Sequence, residues 1–234
     1  MVQVEGTRKL IDAAAGRIGR WVQLSSVGAY GRRRGGIVTE DSALNPCGTY
    51  EATKVKSDSL AADGAANCAF ECAILRPSNV SGAGMSNRSL FGLIAMIQRG
   101  LFFFVGKPGA SANYIHVDNV ADALVLGGTS PRAPGGIYSL SDHRSMEQFV
   151  ASIADGLKVS MPHLRLPEAP VCLLARLAGR IPGSPLTAAR VDALTSRAVY
   201  PSARTERVLG YKHAVSMENG LLELLGFWKA SRSR

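Results

Sequence analysis

The sequence predicts an α/β fold, a partial doubly wound parallel sheet followed by a small C-terminal lobe, and three observations predict it. Helix and strand candidates alternate in the first half. The strand candidates are short and apolar throughout, as strands buried on both faces are. Five prolines fall late, between Pro162 and Pro185, around one short helix, and that irregular stretch suits a lobe that covers a substrate.

The elements follow in order. Val4 to Ala15 places Leu10, Ile11 and Ala14 on one face and reads as a helix ended near Gly16 and Gly19. Trp21-Val22-Gln23-Leu24-Ser25-Ser26 is short, apolar and followed by glycine, a buried parallel strand. Arg32 to Asn45 is polar and glycine-rich and reads as a loop. Tyr50 to Ala62 is a second helix, and Glu71 to Arg76 a second strand closed by Pro77. Beyond it, Ser89 to Gln98 reads as helix, Leu101 to Val105 and Tyr114 to Val117 as strands, and Val120 to Leu126 as helix. Ile137 to Leu140 is a strand, Met146 to Ala154 a helix, and Arg204 to Leu209 and Met217 to Leu225 close the chain as helices.

Composition narrows the function classes. With 234 residues and 46% apolar content the chain is long enough for a real core. Lys plus Arg number 27 against 18 Asp plus Glu, so an anionic partner is easily accommodated. The excess is spread out, with one compact run at Arg32-Arg33-Arg34, and aromatics are only 6%, too thin for a surface that stacks bases; nucleic-acid binding is not expected. The spacing of Cys47, Cys68, Cys72 and Cys172 matches neither a zinc site nor a disulfide scaffold, so no metal is expected, and the cysteines read as reduced thiols of a cytoplasmic protein. No uncharged apolar run is long enough to cross a bilayer, since Arg176 and Arg180 cut the stretch from Leu173 to Ile181; integral membrane association is not expected.

One constellation carries chemistry. Tyr50-Glu51-Ala52-Thr53-Lys54 puts a phenol and an ammonium one helical turn apart on one face, and Ser25-Ser26 ends a parallel strand, where α/β folds place ligand-contacting groups. A phenol with a reference pKa of about 10 is a poor base at neutral pH, and lowering it by ~3 units takes roughly 4 kcal/mol of preferential phenolate stabilisation. A neighbouring cation can supply part of that.

Five ordered blocks then resemble the extended short-chain dehydrogenase/reductase family, also described as NAD-dependent epimerase/dehydratase: Val4-Glu5-Gly6-Thr7; Ser25-Ser26-Val27-Gly28-Ala29-Tyr30-Gly31; Tyr50-x3-Lys54; Arg76-Pro77-Ser78-Asn79-Val80 with Gly82; and Tyr114-Ile115-His116-Val117-Asp118-Asn119-Val120-Ala121-Asp122-Ala123. The resemblance implies a Rossmann-type sheet, NAD or NADP as cofactor, Tyr50 as acid/base, Lys54 holding the nicotinamide ribose and lowering the tyrosine pKa, and Ser26 bonding the reacting oxygen. It implies Ser25, Pro77 and Val80 beside the cofactor, and Asn79 as a substrate or diphosphate contact. Arg197 is a candidate for an anionic group of the substrate. Plainer readings stand beside these: Ser26 as an N-cap, Asn79 as a turn former, Arg197 as a solvated arginine, His116 as structural, and Asp118 as a helix N-cap.

The family often acts on nucleotide-linked sugars, and that substrate class leads, as an epimerase or reductase. Ala112 stands where epimerases carry a basic residue, two places before the Tyr-Ile-His block, which keeps open a reductase of small lipid-like, flavonoid-like or steroid-like carbonyls. No Gly-x-G-x-x-G follows an apolar strand, so a non-catalytic relic that only binds also stays open. Residues 1–160 are expected to form the remaining part of the dinucleotide-binding domain with interleaved substrate segments, and 161–234 mainly the substrate lobe and C-terminal helices. The resemblance also implies a homodimer through the first two helices. Trp21 to Ser26 is expected at an open sheet edge.

Overall fold

A computed structural model of the chain describes residues 2–68, 70–85, 88–178 and 187–232. Helix α1 (Val2–Ala14) leads to β1 (Arg20–Leu24), a single 3-10 turn (Val27–Tyr30), β2 (Gly35–Ile37) and α2 (Thr49–Asn67). Next come β3 (Glu71–Pro77), β4 (Asn79–Ser81), α3 (Arg88–Gln98), β5 (Phe104–Val105), β6 (Ser111–His116) and α4 (Val117–Thr129). The chain continues through β7 (Ile137–Leu140), β8 (Asp142–Ser145), α5 (Met146–Leu157), β9 (Arg165–Leu166), α6 (Glu168–Ala178), α7 (Ala188–Thr195), β10 (Arg197–Val199), α8 (Ala203–Leu209) and α9 (Met217–Arg232).

The main sheet has the order β1-β3-β7, parallel throughout. Alternation along β3 explains its two helical layers, because successive side chains of a strand point to opposite faces. Cys72 and Ile74 pack with Ile11 of α1, Ala61 of α2 and Phe70. Ala73 and Leu75 pack instead with Val120 and Ala123 of α4 and with Leu209 and Tyr211. Close approach of α1 to α2 needs Gly64: a Cβ there would stand 2.8 Å from Ile11 Cγ2 and 3.0 Å from Phe70 Cζ. In the described residues β1 is paired on one side only, by β3, so it lies at the sheet edge as expected.

A second core joins α3, α5 and α9 through Ile94, Phe149, Ile153, Leu221 and Leu224. A smaller sheet, β4-β6-β8, runs beside it, with β4-β6 parallel and β6-β8 antiparallel. The late part of the chain returns to earlier elements: β9 pairs with β5, β10 with β2, and α9 packs on α5. Strand β2 corrects the reading of 32–45 as loop throughout; its partner lies more than 150 residues on, beyond the reach of local pattern. Within the stretch Pro162 to Pro185, β9 and α6 form, while residues 179–186 lie outside the described residues.

The N-cap of α4 is a second correction. His116, not Asp118, caps it, with Nδ1 accepting from the Asp118 backbone N–H at 3.3 Å. An accepting Nδ1 places the ring proton on Nε2, which stands 3.3 Å from Glu223 Oε2 without the alignment of a hydrogen bond. Asn119 of the same block is fully buried and clamps the chain before α9: its Oδ1 accepts from Ala214 and Val215, and its Nδ2 donates to the Val215 carbonyl. Among the described residues no helix is long and apolar enough to cross a membrane.

Candidate active site

The carboxyl ends of β1 and β3 and the first turn of α2 meet at one end of a cavity of about 700 Å³, within the range of small-ligand sites. Ser26, Tyr50, Asn79 and Tyr114 line it together. Tyr50 stands in the first turn of α2, where the positive end of the helix dipole favours an anion by about 0.3–1 kcal/mol. Ser26 caps the 3-10 turn, its Oγ accepting from the Gly28 N–H at 3.1 Å. That bond uses one lone pair and leaves the hydroxyl proton to donate toward the cavity. Gly31 makes the turn possible: its φ is 74°, and a Cβ would meet the Asn45 carbonyl oxygen at 1.9 Å.

Lys54 lies one turn beyond Tyr50, with Nζ 5.7 Å from the centre of the Tyr50 ring. Its ammonium donates to the Leu24 carbonyl at 2.8 Å, which fixes it at the end of β1 with two donors to spare. Burial pulls Lys54 below its ordinary value, opposed by the Asp58 carboxylate. Burial, then the Glu51 carboxylate, push the Tyr50 phenol above its ordinary value. At 5.7 Å from the ring, with one proton on the Leu24 carbonyl, Lys54 does not offset burial in the chain by itself. Two other phenols line the cavity, but burial pushes Tyr114 up to about 12 and also raises Tyr200. Tyr50 is distinguished from them by the adjacent ammonium.

Beneath the site lies a network that local reading of the motif missed. Asp58 follows Lys54 by four residues and Tyr50 by eight, so the three share one face of α2. Its Oδ2 accepts from Ser25 Oγ at 2.7 Å and from Arg76 Nη2 at 3.1 Å. Arg76 Nη1 donates to the Tyr30 hydroxyl at 3.0 Å, and the guanidinium lies 4.9 Å from that ring's centre. All four residues are buried, with the Arg76 and Asp58 side chains 3% and 6% exposed. Desolvation raises Asp58 despite the bonds from Ser25 and Arg76 that lower it. The available signal was Arg76 itself: an arginine inside the apolar strand Cys72-Ala73-Ile74-Leu75 requires a buried anion.

The remaining candidates divide. Asn79 lines the cavity while donating to the Asn113 carbonyl at 3.1 Å. Pro77 is buried on β3, and Val80 is exposed on β4. Ser25 has its hydroxyl engaged by Asp58. Arg197 is not brought to this cavity: it borders a separate hollow of about 250 Å³ and donates to the carbonyls of Lys107 and Pro108 at 2.7 and 3.1 Å. The nicotinamide-ribose half of a dinucleotide fits the donors present, because the Lys54 ammonium retains two protons and the Tyr50 side chain is 57% exposed beside it.

Comparison with known proteins identifies the family and the fold. The family model described as "NAD dependent epimerase/dehydratase family" matches residues 1–141. "Short-chain dehydrogenase/reductase family 42E member 1" of Danio rerio is 33% identical over 132 residues, 53% of this chain and 34% of that protein. A "dTDP-glucose 4,6-dehydratase" of Streptomyces griseus is 27% identical over 233 residues, 98% of this chain and 65% of that protein. The crystal structure of a UDP-glucuronic acid 4-epimerase from Bacillus cereus in complex with NAD superposes with a TM-score of 0.75 at 16% identity, covering 98% of this chain and 68% of that one, a likeness of fold. The match to the first of these relatives thus spans about a third of its length. Five motif blocks, a parallel Rossmann-type sheet and a family match over 141 residues together establish that the chain belongs to the NAD-dependent epimerase/dehydratase family, within the extended short-chain dehydrogenases/reductases.

Proposed function

We propose that this chain carries the proton-relay and substrate-holding part of an NAD(P)-dependent oxidoreduction at a secondary alcohol or carbonyl carbon, with Tyr50 as acid/base. The observation that carries the reading is the placement of Tyr50 and Ser26 on one cavity with the Lys54 ammonium 5.7 Å from the Tyr50 ring. Lys54 holds the nicotinamide half, with Pro77 at the end of β3 and Val80 on β4 bordering it as the family resemblance implies. When bound, the cofactor supplies or accepts the hydride. Ser26 orients the reacting oxygen by hydrogen bond. Tyr50 gives its phenolic proton to that oxygen during reduction and removes it during oxidation.

Tyr50 is a phenol at neutral pH, as an ordinary tyrosine is, and that is the form that reduction needs. Oxidation needs the phenolate, for which Lys54 and the positive end of α2 provide the local stabilisation. A nucleotide-linked sugar as substrate is supported by relatives named for dTDP-glucose and UDP-glucuronic acid. A small carbonyl compound is favoured by Ala112, which lines the cavity where epimerases carry a cation. We also place the protein in the cytoplasm, on its four free cysteines. A homodimer through α1 and α2 is supported by Leu10, 61% exposed on α1; sedimentation at micromolar concentration is expected to show a dimer, and a monomer across that range would remove the claim.

The test of the reaction is a pair of substitutions read by turnover and by NAD(P)H fluorescence. Tyr50→Phe is expected to reduce turnover about 10²–10⁴-fold with cofactor binding retained. Lys54→Met is expected to weaken the cofactor's binding as well. Unchanged turnover in Tyr50→Phe, or parallel loss of turnover, binding and melting temperature, would overturn the assignment.

A further inference from the structure

Resting on the oxidoreductase reading of Tyr50, we infer that the substrate of this site is a compact apolar alcohol or ketone and not a nucleoside diphosphate-sugar. The catalytic end of the cavity is polar, with Ser26, Tyr50 and Asn79 on its wall. Away from that end the wall changes character. Helix α3 contributes Leu93 and Met96, one turn apart on one face. Leu101 and Phe103 come from the chain before β5, and Val191 and Leu194 from α7. Leu93, Met96 and Leu194 rest on the second core, so this lining is a continuation of packed interior and not a mobile fringe.

The charges of the region are arranged to match. A pyrophosphate is held by guanidinium forks or clustered backbone donors that are free to bond its oxygens. The compact basic run lies outside: Arg32, Arg33, Arg34 and Arg197 border the separate hollow. There Arg32 is paired with Asp192 at 3.0 Å, Arg33 donates to the carbonyls of Tyr30 and Ala43, and Arg197 donates to those of Lys107 and Pro108. Inside the cavity Ala112 is buried and bears no charge. The cationic side chains on the wall are Arg99, which is exposed, and Arg190, which has a partner of its own. Away from Arg99 and Arg190 a dianionic group would exchange water for apolar side chains, which is unfavourable, whereas an apolar body gains by leaving water for those walls.

The consequence for specificity is that the reacting C–O group is selected by Ser26 and Tyr50, and the body attached to it by the α3 and α7 walls. The experiment is direct binding by calorimetry and ligand-observed NMR, with 2-decalone as apolar probe and UDP-glucose as polar rival, on the purified chain with and without NADPH. Saturable 2-decalone binding with a negative heat-capacity change is expected, displaced by neither UDP-glucose nor UDP. Leu93→Ser and Met96→Ser, placed on the same face, are each expected to weaken it about tenfold, as loss of apolar complementarity does. Circular dichroism melts confirm that either variant is folded before its binding is compared.

Saturable UDP-glucose binding that excludes 2-decalone overturns the inference. So does the absence of 2-decalone binding, or 2-decalone binding that neither substitution weakens. The reaction assignment fails separately. If 2-decalone binds as expected but Tyr50→Phe reduces it as fast as the unaltered protein, the pocket chemistry stands and the role of Tyr50 falls. If Tyr50→Phe abolishes turnover of UDP-glucose and 2-decalone does not bind, the reverse holds.

Discussion

The two ends of the cavity are built by different forces. At the strand ends, a buried carboxylate, guanidinium, phenol and hydroxyl bond one another in a chain from Tyr30 through Arg76 and Asp58 to Ser25, directly beneath Ser26 and along the helix face that carries Lys54 and Tyr50. At the α3 and α7 end, Leu93, Met96, Val191 and Leu194 form the apolar part of the wall by contact, with Arg99 and Arg190 beside them. Hydrogen bonds are directional and hold atoms to within tenths of an ångström; apolar burial is not directional and scales with area. A proton relay needs the first kind of support, and the accommodation of a substrate's body needs only the second. The polar end therefore tolerates little change, while the apolar end can be altered to admit a different molecule without dismantling the chemistry.

The sharpest way to break this contrast is Asp58→Asn. Removing one partner of a buried ion pair leaves the other uncompensated, and the expected loss is about 3–5 kcal/mol, read by urea or thermal denaturation. The same variant tests the titration. Because the Asp58 carboxyl is raised above its ordinary 3.8, the native protein holds a proton that the unfolded chain releases between that value and the folded one. Stability from this group accordingly falls as pH rises through that window. The Asn variant is expected to lack that slope; an unchanged slope would assign the titration elsewhere.

A smaller effect is expected at the rim of the polar end. The Glu51 carboxylate is the second cause of the raised Tyr50 phenol, after burial. Glu51→Gln removes that repulsion, so the phenolate forms more easily and the limb of alcohol oxidation that depends on it is expected to move to lower pH. A limb that stays in place would show that Glu51 does not act on the proton of Tyr50. Burial of the phenol itself is untouched by the substitution, which separates the two causes.

Much of this architecture is legible in local pattern. The apolar runs at Trp21 to Leu24 and Cys72 to Leu75, the spacing of Tyr50 and Lys54, and the Ser25-Ser26 strand end are properties of a few adjacent residues, so sequence alone determined the parallel strands, the helix face and the chemical pair. The pairing of β2 with β10 could not be read in that way, because its hydrogen bonds join backbone segments about 160 residues apart and no side-chain period marks them. The cap of α4 fell to His116 over Asp118 because the buried ring, 4% exposed, already points at the Asp118 N–H.

Arg197 shows the same limit from the side of function. Its guanidinium suits a phosphate by chemistry, and only the fold sends it to the carbonyls of Lys107 and Pro108 in a different hollow. The partners of Arg76 were likewise a tertiary matter: the strand announced a charge that had to be met, and the packing of α2 on β3 supplied Asp58 to meet it. The sequence by itself determined which groups are capable of the chemistry, since reactivity resides in residue type and short spacing. Which of them share a cavity, and what lines the rest of it, was decided by long-range packing, because burial and desolvation are properties of the assembled surroundings and not of the residue.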